Sequence, residues 1–268
     1  MKYYIVDAFA DQLFKGNPAG VCLLDYELSE AIMQRIAFEN NLAETAFLLH
    51  KNNQYILRWF TPEVEIDLCG HATLATAFVI MNYVSPGMKE IVFETQSGKL
   101  TVVREGDIYT LDFPNRMPTA IVPPELLEEA LGCEILETHL SRDLLVLVDH
   151  EDSVLNLQVN MERIKKISQD MAFAIIVTAK GENCDFVSRF FAPNAGIIED
   201  PVTGSAHSTL IPFWSERLGK TKMLAKQLSQ RGGTLYCEFC NDRVKIGGTA
   251  ICYLQGELLI ENMVNHSY

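Results

Sequence analysis

The chain carries one ordered set of motifs twice. Arg58-Trp59-Phe60-Thr61-Pro62 returns as Arg189-Phe190-Phe191-Ala192-Pro193, and Cys69-Gly70-His71-Ala72 returns as Thr203-Gly204-Ser205-Ala206, with three extra residues in the second connecting loop. The register holds further on, where Gln96-Ser97-Gly98 maps onto Gln230-Arg231-Gly232. Solenoid units span only a few tens of residues, so a period this long marks a duplicated domain. In each copy a glycine turn feeds an apolar stretch of helical character. Two like halves predict one cleft between them, with the glycine turns facing each other and the unpaired amides of two helix starts forming an anion cradle.

A chain of 268 residues, 48% of them apolar, has enough material for a core in each of two modest domains. The formal net charge of −13 argues against a nucleic-acid partner, because that affinity comes from clustered Lys and Arg. The N-terminal segment Met1-Lys2-Tyr3-Tyr4-Ile5-Val6-Asp7 does not read as a signal peptide, and the longest apolar run, around Ala75 to Met81, is too short to cross a bilayer. The expectation is a soluble, cytoplasmic protein with no membrane partner. Seven cysteines, an odd number scattered over the chain, read as reduced packing residues rather than a disulfide framework. Cys237-x-x-Cys240 lies in an alternating, strand-like stretch without a second ligand pair, so no metal is assigned. No phosphate loop or dinucleotide fingerprint calls for a cofactor.

Strands are predicted at Ile5 to Phe9 and Gly20 to Leu24, around the turn-rich Lys15-Gly16-Asn17-Pro18-Ala19-Gly20. Ser29 should cap a helix with Ile32, Met33, Ile36 and Ala37 on its apolar face, ended by Asn40-Asn41. Thr45 to Leu49 and Tyr55 to Phe60 read as strands joined by Lys51-Asn52-Asn53. The stretch Ala72 to Ile80 is small or apolar on every side, which predicts a fully buried helix. Strands follow at Ile91 to Glu94, Leu100 to Arg104 and Ile108 to Phe113. Pro114, Pro118, Pro123 and Pro124 then mark a boundary between domains at 1–115 and 116–268, leaving open a return of the last strand to the first domain. The second half predicts helices at Glu125 to Leu131, stopped by Gly132, and at Met161 to Ile167. Strands at Ala174 to Thr178 and Phe186 to Phe191 precede a helix from Ser205 shortened by Pro212.

Glu44 sits among small and apolar neighbours at the start of a strand, where burial would tune a carboxylate for proton transfer near neutral pH. The alternative is a strand-edge glutamate in water, or one paired with Arg58. Asp200 precedes the second glycine turn, as a catalytic carboxylate or as the turn-initiating Asp common before proline. His71, at the start of the buried helix, could shuttle a proton or be a hydrogen-bonded structural residue, and His207 carries the same ambiguity. Ser205 could donate to an anionic ligand or cap the helix. Cys69, just ahead of a helix start, is an alternative catalytic base or nucleophile; its counterpart in the second copy is Thr203, so a two-thiol mechanism lacks a partner, and the alternative is a racemase or epimerase using Cys69 with Glu44 or Asp200 as the opposing carboxylate.

Together these segments resemble the phenazine-biosynthesis-like (PhzF-type) family of the diaminopimelate epimerase fold. The resemblance rests on Asp7-Ala8-Phe9, Gly16-Asn17-Pro18-Ala19-Gly20, Glu44-Thr45-Ala46-Phe47, Cys69-Gly70-His71-Ala72-Thr73, Phe93-Glu94-Thr95 with Ser97-Gly98, and Glu199-Asp200-Pro201-Val202-Thr203-Gly204-Ser205-Ala206. It implies an α+β fold of two pseudo-repeated domains, each an antiparallel sheet or barrel wrapped around a central buried helix, with the active site in the groove between them. It also implies a homodimeric, cofactor-independent isomerase of a small anionic, carboxylate-bearing metabolite. In that comparison Glu44 transfers a proton between carbons, Asp200 and His71 assist, and Gly70, Gly204 and Ser205 bind substrate. A binder of an acidic metabolite that performs no catalysis is the competing class.

Overall fold

The computed structural model describes residues 1–169 and 171–260. The chain divides into two compact units, the first made of Met1–Phe14, Pro18–Leu111 and the chain from Thr249, the second of Lys15–Asn17 and Asp112–Gly248.

In the first unit β1 (Lys2–Ala8) and β2 (Asn17–Leu24) lead into α1 (Glu30–Asn40) and then the hairpin β3 (Glu44–Lys51) and β4 (Gln54–Phe60). The hairpin closes on Asn52 and Asn53, both at positive φ, the left-handed pair that suits the right-handed strand twist. Ser29 caps α1 by accepting from the Ile32 amide, and Asn41 ends it in the left-handed conformation, burying Met33, Ile36 and Ala37 against the sheet. A short β5 (Glu65–Ile66) precedes α2 (Gly70–Val79), which runs into a π-helical turn at Ile80–Val84. Three strands complete the run: β6 (Glu90–Thr95), β7 (Gly98–Glu105) and β8 (Ile108–Pro114).

The second unit continues with β9 (Thr119–Ile121), α3 (Leu127–Leu131), β10 (Glu137–Leu140), β11 (Leu144–Leu147), α4 (Glu151–Leu155), α5 (Met161–Gln169), β12 (Ile175–Lys180) and β13 (Phe186–Phe191). Next come α6 (His207–Leu218), β14 (Lys222–Gln227), β15 (Gly233–Cys240) and β16 (Arg243–Gly248). The last described strand, β17 (Ala250–Glu257), pairs antiparallel with β1 in the first unit.

Strand pairing repeats the sequence duplication. In the first unit β2–β3 is parallel, β3–β4 antiparallel, β4–β6 parallel, and β6–β7 and β7–β8 antiparallel. The second unit follows the same order: β11–β12 parallel, β12–β13 antiparallel, β13–β14 parallel, and β14–β15 and β15–β16 antiparallel. The sheets are therefore mixed, where an antiparallel sheet was expected. The parallel pairs arise because a helix-bearing connection returns the chain to the same end of the sheet, with α1 before β3 and α2 before β6. An ion pair repeats too. Arg58 is bidentate to Glu65 at 2.7 and 2.6 Å, and Arg189 to Glu199 at 2.7 and 2.9 Å.

Every residue of α2 except Phe78 is buried, and the helix packs on β1, β3 and β17. Its small side chains let strand backbones approach on several sides, which explains a helix with no polar face. In α6, Pro212 does not shorten the helix, which runs on to Leu218. Proline at this position leaves the Ser208 carbonyl without its helical donor, and the Arg116 amide fills the vacancy at 2.9 Å. The helix also starts at His207 rather than Ser205, after a turn held by the His207 amide on the Gly204 carbonyl. Likewise α3 begins at Leu127 instead of Glu125, because Leu126 sits at positive φ. Cys237 and Cys240 both lie on β15, where residues three apart point to opposite faces. They cannot clasp one ion together.

Candidate active site

Glu44 opens β3, paired across the parallel β2 register with Ala19. The strand is buried from Glu44 through Leu49, so its first carboxylate is only 8% exposed although it stands at an element end. His71 is the second residue of α2, also buried, and its Nε2 lies 2.9 Å from Glu44 Oε2. The two atoms stand at ion-pair distance without the alignment of a straight hydrogen bond, so charge attraction supplies most of the contact. On the other side of the ring, Nδ1 lies 3.6 Å from Cys69 Sγ. Arg58, the alternative partner for Glu44, is spent on Glu65 and Glu30.

Burial pulls the His71 pKa down, while the Cys69 sulfur and the Glu44 carboxylate push it up; the partners win, and it lies well above the ordinary histidine range. The Cys69 pKa is itself raised, by burial first and then by Glu44, so the sulfur is a neutral thiol at pH 7. The imidazole thus stands between the Cys69 sulfur and the Glu44 carboxylate, and both favour its protonated form. A thiolate base at Cys69 is disfavoured by the same surroundings.

The start of α2 carries no side-chain cap. The Cys69 carbonyl accepts from the Thr73 amide at 3.1 Å and the Thr73 hydroxyl at 2.5 Å. Gly70 opens the helix, so the positive end of the α2 dipole lies beside the carboxylate and imidazole. The Glu44, Cys69 and His71 donor atoms lie within 4.8 Å of one another, close enough for a divalent ion to gather. Such an ion would have to break the ring's contacts with both partners and displace the proton of a thiol whose pKa is raised.

In the second unit Asp200 is buried and serves as a hub. Its Oδ1 accepts from Asn17 Nδ2 at 2.8 Å, and its Oδ2 from the Thr203 hydroxyl. Gln227, 1% exposed, donates to the Asp200 carbonyl at 2.7 Å and to Thr203 Oγ1 at 3.1 Å, and accepts from the Thr203 amide at 2.8 Å. Ser205 does not cap α6; its hydroxyl accepts from Arg142 Nη2 at 3.2 Å. Arg142 is in turn bidentate to the fully buried Asp143 at 2.9 and 2.7 Å and lies over the Phe173 ring. His207 faces away from this chemistry. Its Nδ1 donates to the Thr203 carbonyl at 2.8 Å, and burial pulls its pKa down to about 4, so it is a neutral structural residue.

The structure thus joins Glu44, His71 and Cys69 in the first unit, and in the second it surrounds Asp200 with Asn17, Thr203 and Gln227. Gly70 opens α2 as expected, whereas Gly204 lies in the turn three residues ahead of α6. The sequence reading missed Arg142 and Gln227. Gln227 had a weak signal, because it ends β14 as Thr95 ends β6, a polar residue at the close of the matching strand in each copy. Arg142 had none, since its neighbours in the chain form no motif.

The sequence matches the family described as phenazine biosynthesis-like protein over residues 6–256. It is similar to an uncharacterized isomerase of Pseudomonas aeruginosa, 48% identical over 253 residues covering 94% of this chain and 96% of that protein. It is also similar to the crystal structure of a PhzF-family phenazine biosynthesis protein of Enterococcus faecalis, with 50% identity, 96% and 98% of the two chains covered and a TM-score of 0.94. A probable proline racemase of Agrobacterium radiobacter shares the fold at a TM-score of 0.68 and 10% identity, covering 98% of this chain and 94% of that one. The helices identified include none long and apolar enough to cross a membrane.

Proposed function

This chain belongs to the phenazine biosynthesis-like (PhzF) protein family, and from that premise we propose that it is an isomerase that moves a proton between carbons of a small carboxylate-bearing metabolite, with Glu44 as the acid/base. The observation that carries the reading is the buried Glu44–His71 pair beside the uncapped start of α2. The Glu44 carboxylate, which faces the imidazole, takes a proton from carbon. The electron pair left behind spreads toward the substrate's carbonyl or carboxylate oxygen, where the positive end of α2 and the imidazolium offset the developing charge. Glu44 then returns the proton to a different carbon, so substrate and product have the same composition. Asp200 and Ser205 are the assisting groups that the family resemblance assigns, with the Gly204 turn as a substrate-binding element. We read each unit as a curled sheet closed around its buried helix, in the manner of diaminopimelate epimerase. The chemistry needs only a positioned acid/base, so the reading calls for no cofactor.

The test incubates the protein with a panel of small unsaturated carboxylic acids in deuterated water and follows products by NMR. Product analysis accompanies the label, because a proton returned internally leaves carbon unlabelled. Wild type should yield a positional isomer or solvent-derived deuterium at carbon, and Glu44→Gln should lose about 10²-fold or more of that turnover. A Glu44→Gln variant that turns over within a few-fold of wild type would refute the assignment.

A further inference from the structure

The Gly16-Asn17-Pro18 turn has no part in the chemistry above, yet it is built with care. Asn17 is fully buried, and its carboxamide Nδ2 donates to Asp200 Oδ1 at 2.8 Å and to the Val202 carbonyl at 3.0 Å, 183 and 185 residues away in sequence. The segment is clamped on both sides. The Gly16 amide donates to the Gly232 carbonyl at 2.7 Å, and the Arg231 guanidinium donates to the carbonyls of Gly16 at 2.8 Å and Lys15 at 2.9 Å. Gly16 itself sits at φ +69, a conformation that favours glycine.

We infer that Asn17 is a positioning residue for Asp200, holding its carboxylate ionised and fixed in direction. This rests on the role given to Asp200 above. The hydrogen-bond polarity carries the argument. Gln227 Nε2 donates into Thr203 Oγ1, which turns the Thr203 hydroxyl proton toward Asp200 Oδ2. Asn17 presents an N–H to the other oxygen, and an amide nitrogen cannot accept in return. Each carboxylate oxygen therefore accepts from a donor, an arrangement that favours the charged form, because both contacts weaken when the acceptor is neutral.

The test is a swap that needs no substrate. Asn17→Asp sets two carboxylates against each other, and Asn17→Asp with Asp200→Asn restores one amide and one carboxylate in reverse order. In urea unfolding at pH 7.5, Asn17→Asp should lower the midpoint more than Asp200→Asn does, and the double variant should recover at least half of the loss. A purely structural bond to Val202 predicts no recovery, and a double variant at or below the sum of the single losses overturns the proposal. If Asn17→Asp does not fold, Asn17→Ala is measured with and without Asp200→Asn. The alanine change should lower the midpoint less when residue 200 is neutral, since a bond to a charged acceptor is the stronger; equal losses in the two backgrounds overturn the proposal. Coupling between positions 17 and 200 with full turnover by Asp200→Asn would count against the functional reading alone.

Discussion

Replacing His71 with glutamine removes the cation that faces Glu44 and keeps an amide donor nearby. Their side chains are only 7% and 10% exposed, so the pair belongs to the buried class. Removing one partner of such a pair costs about 3–5 kcal/mol. A glutamine N–H to the carboxylate recovers about 1.5–3 kcal/mol. The net loss should be about 2 kcal/mol at pH 6. Trp59 lies in the first unit and Trp214 in the second, so urea unfolding in a Trp214→Phe background reads the unit that holds the pair.

The loss should depend on pH with a definite sign. The folded-state pKa of His71 is raised above its unfolded value, so the imidazolium's contribution is fully present below about pH 6.5, the ordinary histidine pKa. It fades as pH rises through the folded-state pKa, because the cation that the substitution removes is then already gone. The stability gap between wild type and His71→Gln should therefore be widest near pH 6 and narrow steadily toward pH 10. A gap that is constant or widens with pH would show that Glu44 does not hold a charged imidazole, and the proposed proton transfer would lose its acid.

Two further outcomes follow from other buried groups. His207 has its pKa pulled down to about 4 by burial, the opposite sign. Its contribution is present above pH 6.5 and lost as pH falls toward 4, about 3 kcal/mol in all, so His207→Gln should flatten the acid limb of the second unit's stability curve; an unchanged limb would reject the neutral assignment. Cys69 is 5% exposed with a raised thiol pKa, so iodoacetamide at pH 7.5 should label the half-buried Cys240 well before Cys69, as read by peptide mass spectrometry. Labelling of Cys69 at the rate of Cys240 would reopen the thiol mechanism.

Much of the local structure was legible because single residues carry its causes. Ser29 and Asn41 bound α1, Asn52-Asn53 closes the first hairpin, and the unbroken run of small residues after Gly70 announces a helix with no solvent face. Strand β13 occupies the predicted Phe186 to Phe191. The neighbours of strands were not legible. A period-two pattern tells which face is buried but not which strand lies alongside, and the parallel β2–β3 and β11–β12 pairs went unseen. Pro212 misled for a similar reason, since the donor that satisfies the Ser208 carbonyl comes from Arg116, far off in the chain. Around the site, Glu44 and His71 stood out by type and surroundings. Asn17 stood in a motif without a role, and its target 183 positions away could be found only in three dimensions.

The duplication helps decide which carboxylate carries the proton. Thr45 pairs with Phe60 in the first unit and Ile175 with Phe191 in the second, so the second-unit counterpart of Glu44 is Ala174. His71 corresponds to Ser205, Cys69 to Thr203 and Thr95 to Gln227. One backbone plan thus supports two kinds of acid group. Glu44 faces a titratable imidazole, so a proton can pass between the two side chains with the net charge of the pair unchanged. Asp200 faces neutral donors, and the Thr203 hydroxyl is itself oriented by Gln227. Taking up a proton there would weaken both hydrogen bonds. On the proposed reading Glu44, beside a titratable ring, is the group that exchanges protons with carbon, and Asp200 assists.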